Sequence, residues 1–516
     1  MKIVSVAQMR ALEAAAFASG ITESGLQERA GHAVAHEVFR FAHLPRQGMR
    51  VVVLVGHGNN GRDGAVAAEW LLRHGTPVDL VLAPRHAVRP DELTRLQSLG
   101  ASVAPSADTQ AVHAALQRAG VAVDALAGIG AKGALREPLS SLARQLNAAR
   151  DGGPLHHVVA LDLPSGVDAD SGEVPGEAVW ATATVTLGGV KQGLLRFPAA
   201  ERVGQLIACD IGIPEEATVD LPYAILDSAA LGRLVPMRPL DAHKYRFGRV
   251  LVVAGSDHFL GAPVLCSGGA ARVGAGLVTV ASTRDVRLNV AAHLPEVTFT
   301  QADILSSDGA SAAHVLEPYL RSHNSLVVGP GLGRGPAVTA FVAELLRLRP
   351  REHPVVLDAD GLYALSEIDS RWTLLGAKAV LTPHSGELER LVGQELGREE
   401  PLWLHAGRLA ERWGCLLVAK GPFTCVAAPN GRVDVWTRAN PALASGGTGD
   451  VLAGITAGLL AQGVSAWDAT RLAVGLHGLA AERLVKRRGW RTLLASDLFD
   501  ELPAVFQEVA RTTQPR

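Results

Sequence analysis

Cysteine, aromatic side chains, surplus charge and long apolar runs are all scarce in this chain. Its 516 residues include four cysteines, Cys209, Cys266, Cys415 and Cys425, which lie far apart and never in C-x-x-C spacing. That excludes a disulfide framework and a cysteine zinc site, and it fits a reducing compartment. Lys and Arg number 49 against 51 Asp and Glu, a net charge of -2, so no excess charge draws the chain to nucleic acid or an anionic membrane. No window approaches the roughly 18 uninterrupted apolar residues of a membrane span. The start, Met1 to Gln8, has too short an apolar run for a signal peptide. A soluble cytoplasmic protein is expected. Aromatics make up only 4%, and the abundance of alanine, valine, leucine and glycine suits sheets covered by helices. The length points to roughly two to four domains with room for a large core.

Short β-branched runs alternate with alanine- and leucine-rich helical stretches, the pattern of parallel sheets with helices on both faces. The early strand candidates are Val51–Val55, Val78–Ala83, Val121–Leu126, Val158–Leu163 and Thr184–Leu187. Later ones are Val250–Ala254, Leu277–Ala281, Leu326–Val328, Val355–Asp358, Ala379–Thr382 and Leu416–Ala419. The alternation breaks between Ile213 and Arg249, where Pro214, Pro222, Pro236 and Pro239 stand among mixed charges, and a domain boundary is expected there. Asn430-Gly431 between two β-rich runs predicts a tight hairpin. There is no low-complexity segment and no clear repeat.

Three glycine-rich turns carry chemistry. Ser445-Gly446-Gly447-Thr448-Gly449-Asp450 runs into Val451, Leu452, Ile455 and Leu459 at helical spacing, so it opens a helix. Helix starts present unpaired N–H groups and the positive end of the dipole, which makes this turn a phosphate cradle. A carboxylate beside phosphates repels them unless it has a task. Taking a proton from a hydroxyl that attacks phosphorus gives Asp450 one; the bland alternative is a capped helix whose Asp complements the dipole. A second loop, Gly56 to Gly64, leaves a strand and opens a helix, where doubly wound folds bind dinucleotide phosphates. Its Asn59, Asn60 and Asp63 add side-chain oxygens that an ordinary dinucleotide turn does not need, although a tight Asn- and Gly-rich turn reads the same. The third turn is Gly128-Ile129-Gly130-Ala131-Lys132-Gly133-Ala134, following Asp124. Asp162 precedes Pro164-Ser165-Gly166. Successive strand ends converge on one crevice, so Asn60, Asp124 and Ser165 offer oxygen ligands to a hard cation; each alone reads as a turn residue.

With Leu26-Gln27-Glu28-Arg29-Ala30-Gly31, Asp162-Leu163-Pro164-Ser165-Gly166 and Thr186 to Leu194 in that order, residues 1–220 resemble the NAD(P)H-hydrate epimerase domain. The resemblance implies a Rossmann-like three-layer αβα domain with substrate at Asn59, Asn60, Gly61, Arg62 and Asp63, at Gly128, Ile129, Gly130, Ala131, Lys132, Gly133 and Ala134, and at Asp162. It also implies a potassium ion at Asn60, Asp124 and Ser165. Asp162 is the candidate acid/base for inverting the hydroxyl-bearing carbon. Arg62, Ile129 and Gln27 depart from the family's usual glycine, threonine and methionine.

Residues 226–510 resemble the ADP- or ATP-dependent NAD(P)H-hydrate dehydratases, through Gly255-Ser256, Gly261-Ala262, Gly329-Pro330-Gly331-Leu332-Gly333, Leu357-Asp358-Ala359-Asp360-Gly361, Thr382-Pro383-His384-Ser385-Gly386-Glu387, Lys420-Gly421 and Asn440 to Gly454. This implies a ribokinase-like αβα domain with nucleotide at Lys420, Gly421, Pro422, Phe423, Thr424 and Gly449. Hydrated cofactor is implied at Ala262, Gly331, His384 and Asp450, with magnesium oriented through water by Glu387 and by Asp358 or Asp360. Hydroxide leaves poorly, whereas a phosphate ester leaves well, so a kinase-like site explains a lyase. The domain fusion implies ADP as phosphoryl donor, giving AMP, and a homo-oligomer, possibly a tetramer. A vitamin-precursor or sugar kinase and a non-catalytic nucleotide sensor are the rival expectations.

Overall fold

The structure, a computed structural model, describes residues 1–43, 49–153, 155–302, 308–397 and 399–511. It divides into two units, Met1–Ala224 and Ile225–Arg516. In the first, the strands are β1 (Ile3–Val4), β2 (Val51–Val55), β3 (Val78–Leu82), β4 (Ser102–Pro105), β5 (Val121–Ala125), β6 (His157–Leu161), β7 (Ala183–Leu187), β8 (Val190–Lys191) and β9 (Gln205–Cys209). Among the described residues seven of these form one parallel sheet in the order β4-β3-β2-β5-β6-β7-β9, and β1 pairs with β8. The helices that matter for the site are α1 (Val6–Ala18), α2 (Glu23–His43) and α3 (Asn59–Arg73).

Strand β2 shows why the layers form. Every one of its residues is buried, with Val51, Val53 and Val55 entering the core shared with α2 and α3, and Val52 and Leu54 entering the core on the other face. A strand apolar on both faces is stable only between two helical layers. The sheet order reverses between β2 and β5, and at such a switch point the loops leaving neighbouring strands part and open a crevice.

The second sheet's strands are β10 (Tyr223–Ile225, which spans the unit boundary), β11 (Arg249–Val253), β12 (Leu277–Ser282), β13 (Thr298–Gln301), β14 (Ser325–Val328), β15 (Val355–Leu357), β16 (Ala379–Leu381), β17 (Leu416–Ala419), β18 (Cys425–Ala427) and β19 (Val433–Val435). Their order is β10-β19-β18-β17-β16-β15-β14-β11-β12-β13; β11 to β17 are parallel, and β17, β18 and β19 antiparallel. The β18–β19 hairpin expected at Asn430-Gly431 is present as a three-residue loop, closed by the Ala428 N–H on the Arg432 carbonyl at 2.8 Å, with Gly431 at φ +78°. The helices used below are α4 (Ala262–Arg272), α5 (Asp360–Ser366), α6 (Ser385–Val392), α7 (Thr448–Ala461) and α8 (Ala466–Arg488).

Helix α7 is buried along almost its whole length, which its unbroken run of small and apolar residues requires. It crosses α4 at backbone distance: a Cβ on Gly454 would lie 1.9 Å from the Cys266 carbonyl, and one on Gly269 2.5 Å from that of Val451. Without glycine at both places the two helices would separate.

The structure adds β1, β4, β8, β9, β10 and β13 to the strands expected from sequence, and it fills part of the expected linker with β10 and a short helix, Ser228–Gly232. Strand β6 stops at Leu161, two residues short of expectation, because Asp162 turns out of the strand at φ +68°. Among the described residues no helix is long and apolar enough to cross a membrane.

Candidate active sites

In the first unit, the loops after β2, β5 and β6, together with α1 and α2, enclose a cavity of about 770 Å³. Asn59, Asn60, Asp63, Asp162 and every residue from Gly128 to Ala134 line it. Gly61 and Arg62 do not. Gly61 instead lets α3 approach the sheet, since a Cβ there would sit 2.2 Å from the Gly56 carbonyl. The positive φ of Asp162 is a costly conformation for a residue with a side chain, and such strain concentrates at functional sites. All donors to its carboxylate converge on Oδ1: the Lys191 ammonium, the Leu187 N–H at 3.0 Å and the Thr186 hydroxyl at 3.4 Å. Lys191 is 1% exposed, and its ammonium also donates to the Leu187 carbonyl at 2.8 Å. Sequence reasoning quoted Lys191 within a motif and gave it no role. A lysine directly after Val190, in an otherwise uncharged apolar stretch, was the available signal.

Asp124 and Ser165 meet behind this wall. The Ser165 hydroxyl donates to Asp124 Oδ1 at 2.6 Å and its N–H to Oδ2 at 2.8 Å. Asn60 Nδ2 donates to the carbonyls of Leu161 at 2.8 Å and Ala127 at 3.0 Å, while a Cβ on Gly128 would lie 2.4 Å from Asn60 Oδ1. Burial pushes the Asp124 carboxyl up to about 6 against the pull of these hydrogen bonds. Among the described residues no cationic side chain pairs with it. A fully buried carboxylate with oxygen neighbours and no cation is the donor chemistry that suits a hard monovalent ion.

In the second unit the residues stand at the carboxyl ends of β11, β14, β15, β16 and β17, on either side of the switch point between β14 and β11. Asp450 lies in the first turn of α7, after Gly447 in left-handed conformation. Burial raises its carboxyl to about 7, helped by Asp358, Asp360 and Glu387 and opposed by Lys420. The Lys420 ammonium is 2.9 Å from Asp358 Oδ1 and 3.8 Å from Glu387. Burial lowers its affinity for a proton, but the carboxylates outweigh burial and hold it above its ordinary value. A Cβ on Gly449 would come within 3.2 Å of that ammonium, so glycine clears the space between Lys420 and the helix start. Asp358 also accepts from the Thr382 hydroxyl at 2.8 Å.

His384 caps α6: its Nδ1 accepts the N–H groups of Gly386 and Glu387 at 3.1 and 3.4 Å, and Glu387 returns a bond to the His384 N–H at 2.8 Å. The imidazole is exposed, with Nε2 3.5 Å from Glu387 Oε1. Asp360 accepts the Gly333 N–H at 2.9 Å and the Arg334 guanidinium at 3.1 Å, and the Ser256 hydroxyl reaches the Gly331 carbonyl at 2.9 Å. These ties fix the Gly331 loop beside Ala262 at the start of α4. In the turn itself the Thr448 N–H makes only a long bond, 3.4 Å, to the Ser445 carbonyl. Gly421 is exposed and Thr424 half-buried, and the Thr424 hydroxyl donates to the Gly421 carbonyl at 3.2 Å to close a small turn. His477, which sequence reasoning missed, is buried under the turn; its Nε2 donates to the Thr448 carbonyl at 3.0 Å, and burial lowers its pKa to about 4, so it stays neutral. Nothing local marks such a histidine, 29 residues away on α8. Among the described residues no three His, Cys, Asp or Glu side chains gather as a metal-ligand set.

Residues 250–504 match the family model described as NAD(P)H-hydrate dehydratase, and residues 23–193 that of the YjeF-related protein N-terminus. The chain is 36% identical to the bifunctional NAD(P)H-hydrate repair enzyme Nnr of Moorella thermoacetica, over 99% of this chain and 97% of that protein. It is 37% identical to the enzyme of the same name from Salinibacter ruber, over 95% and 93%. Among solved structures it is similar to the hypothetical protein SMU.573 of Streptococcus mutans, with a TM-score of 0.50 and 26% identity over 55% of this chain and 99% of that one.

Proposed function

Because the chain belongs to the family of bifunctional NAD(P)H-hydrate repair enzymes, we propose that the cavity around Asp162 interconverts the R and S epimers of hydrated NADH and NADPH, and that Asp450 begins the ADP-dependent dehydration of the S epimer. It is an isomerase and a lyase in one polypeptide, with a Rossmann-like unit followed by a ribokinase-like one.

The observation that carries the dehydratase assignment is Asp450 at the open start of α7 with Lys420 across Gly449. Asp450 takes the proton of the substrate hydroxyl as its oxygen attacks the terminal phosphorus of ADP, and a carboxyl near 7 suits a base at neutral pH. Lys420 and the backbone N–H groups of Gly447, Thr448 and Gly449 hold the charge on the moving phosphoryl group; Thr448 releases its long bond to do so. AMP departs, the ring nitrogen's lone pair expels phosphate to leave a carbon–nitrogen double bond, and loss of a proton from the adjacent ring carbon then returns that pair to nitrogen and forms the ring's carbon–carbon double bond. Ala262, Gly331 and His384 hold the hydrated ring, and residues from Lys420 to Thr424 hold the nucleotide. Magnesium, when bound, would offset the charge of the phosphates; Glu387, with Asp358 or Asp360, would hold it through water, since Mg²⁺ keeps several waters and needs few carboxylates.

In the first unit Asp162 is the acid/base, positioned through Oδ1 by Lys191 and the β7 backbone with Oδ2 left toward substrate. Asn60, Asp124 and Ser165 would hold potassium, which neutralises the buried Asp124. A cytoplasmic location agrees with four unpaired cysteines. Self-association is supported by the full exposure of Met237 and Leu240 and is read by sedimentation. The test is to supply mixed epimers of hydrated NADH with ADP and Mg²⁺ and follow NADH absorbance. Full recovery requires both activities. Recovery of only half, completed by an added epimerase, removes the assignment of the first unit. A stable phosphorylated product without NADH identifies a kinase instead.

A further inference from the structure

Four carboxyl groups line the first unit's cavity: Glu13 from α1, Glu23 from α2, Asp63 from α3 and Asp162 from the loop after β6. Lys191 is committed to Asp162. Asp63 is 8% exposed, and its Oδ1 is buried without a hydrogen-bond partner among the described residues. A bare buried carboxylate oxygen is costly; a protonated one facing a cavity is a poised donor. Burial raises the Asp63 pKa well above its ordinary value, and the charges of Asp162 and Glu13 raise it further. Only Arg62, on Asp63's own helix, opposes them. Glu13 is also raised, by burial and by Asp162 and Glu23, but Lys191 and Arg10 pull against that rise, whereas Asp63 also has the unpartnered buried oxygen.

Resting on the epimerase assignment above, we propose that Asp63 is the acid partner of Asp162: a neutral carboxyl that protonates the ring nitrogen while the hydrated ring opens. The substrate carbon carries a hydroxyl and bonds to the ring nitrogen. Asp162 removes the hydroxyl proton, the oxygen's electrons form a carbonyl, and the carbon–nitrogen bond breaks. Its electron pair passes to nitrogen, which takes the proton of Asp63. Rotation about the adjacent carbon–carbon bond turns the other face of the carbonyl to nitrogen. On closure nitrogen returns its proton to Asp63, and the new hydroxyl regains the proton held by Asp162. No atom or electron is gained or lost. The arrangement of one carboxylate and one carboxylic acid follows the general pattern of paired groups held in opposite protonation states.

The experiment compares full-length wild type, Asp63→Asn and Asp63→Glu, following R-to-S conversion by chromatography from about pH 6 to pH 10. Because the protonated acid is the active form, wild-type kcat should fall as pH rises through the pKa of Asp63. Asp63→Asn should lose about 10²–10⁴-fold in kcat, the usual worth of a positioned acid, with little change in KM and no alkaline fall. Asp63→Glu should recover the fall and part of the rate. Circular dichroism and thermal unfolding of the same preparations report that the first unit is folded in the variants. A wild type without the alkaline fall, an Asn variant within about fivefold of wild type, or a variant profile of unchanged shape overturns the proposal. So does uptake of one solvent oxygen-18 per inversion, because breaking the carbon–oxygen bond leaves nitrogen with no proton to gain. A wild type that never interconverts the epimers overturns the epimerase assignment itself.

Discussion

The carboxylates proposed to act in the two units are prepared in opposite ways, although each stands beyond the carboxyl ends of a parallel sheet near its switch point. Asp162 meets an ammonium and two further donors on a single oxygen, in a backbone conformation that side chains avoid. Asp450 is bonded to no ammonium among the described residues. Its strain is electrostatic, with burial first and then Asp358, Asp360 and Glu387 driving it toward neutrality against Lys420. The backbone strain of that site falls on Ala359, at φ +49° between Asp358 and Asp360. The difference matches the tasks. An epimerase must give back the proton it takes, and a fixed ion pair holds one geometry for both directions. A phosphoryl-transfer base acts beside anions, where a carboxyl tuned near 7 accepts a proton readily and an incoming cation offsets its neighbours.

That contrast is broken most directly at Asp450. Asp450→Asn should lower dehydration turnover by about 10³-fold or more while epimer exchange by the same protein is unchanged, read by NADH absorbance and by chromatography. Asp162→Asn should do the reverse, with exchange falling about 10²–10⁴-fold and dehydration of pure S epimer intact; a variant that keeps full exchange removes Asp162 from the mechanism. The pH profile sharpens the comparison. A base with a pKa of about 7 is lost as pH falls through that value, so dehydration kcat should drop about tenfold per pH unit below 6 and level off above 8. Potassium should matter to only one unit. Replacing it with tetramethylammonium should slow epimer exchange about 10–100-fold, and Asp124→Asn should erase the dependence. The smallest effect is expected at Gly449. A methyl group 3.2 Å from Lys420 displaces the ammonium slightly, so Gly449→Ala should raise the KM for ADP about tenfold, or 1.4 kcal/mol.

Much of this was legible in the chain. Buried central strands such as β2 and β15 carry uniform valine and leucine runs, because both faces meet helices, and sequence alone marks them. Edge strands gave no such signal. Gln205–Cys209 and Thr298–Gln301 are half-exposed and mixed in character, and their pairing is decided by neighbours supplied from far along the chain. Site glycines were legible for the same reason as the central strands: a backbone that must approach an anion or another helix admits little else. Lys191, Glu13 and His477 were not given roles, since an isolated charged or titratable residue has the same local signature on a surface as in a core.

The sequence by itself determined two α/β units, their order, the phosphate turn before α7 and the carboxylates at the strand ends, because hydrophobic period and glycine placement are local constraints. Only the tertiary structure decided the electrostatics. It paired Lys191 with Asp162, left Asp63 and Asp124 buried without a cation and gathered Asp358 and Glu387 around Asp450. Each of these depends on desolvation and on charges brought within a few ångströms by folding, and neither quantity exists in an extended chain.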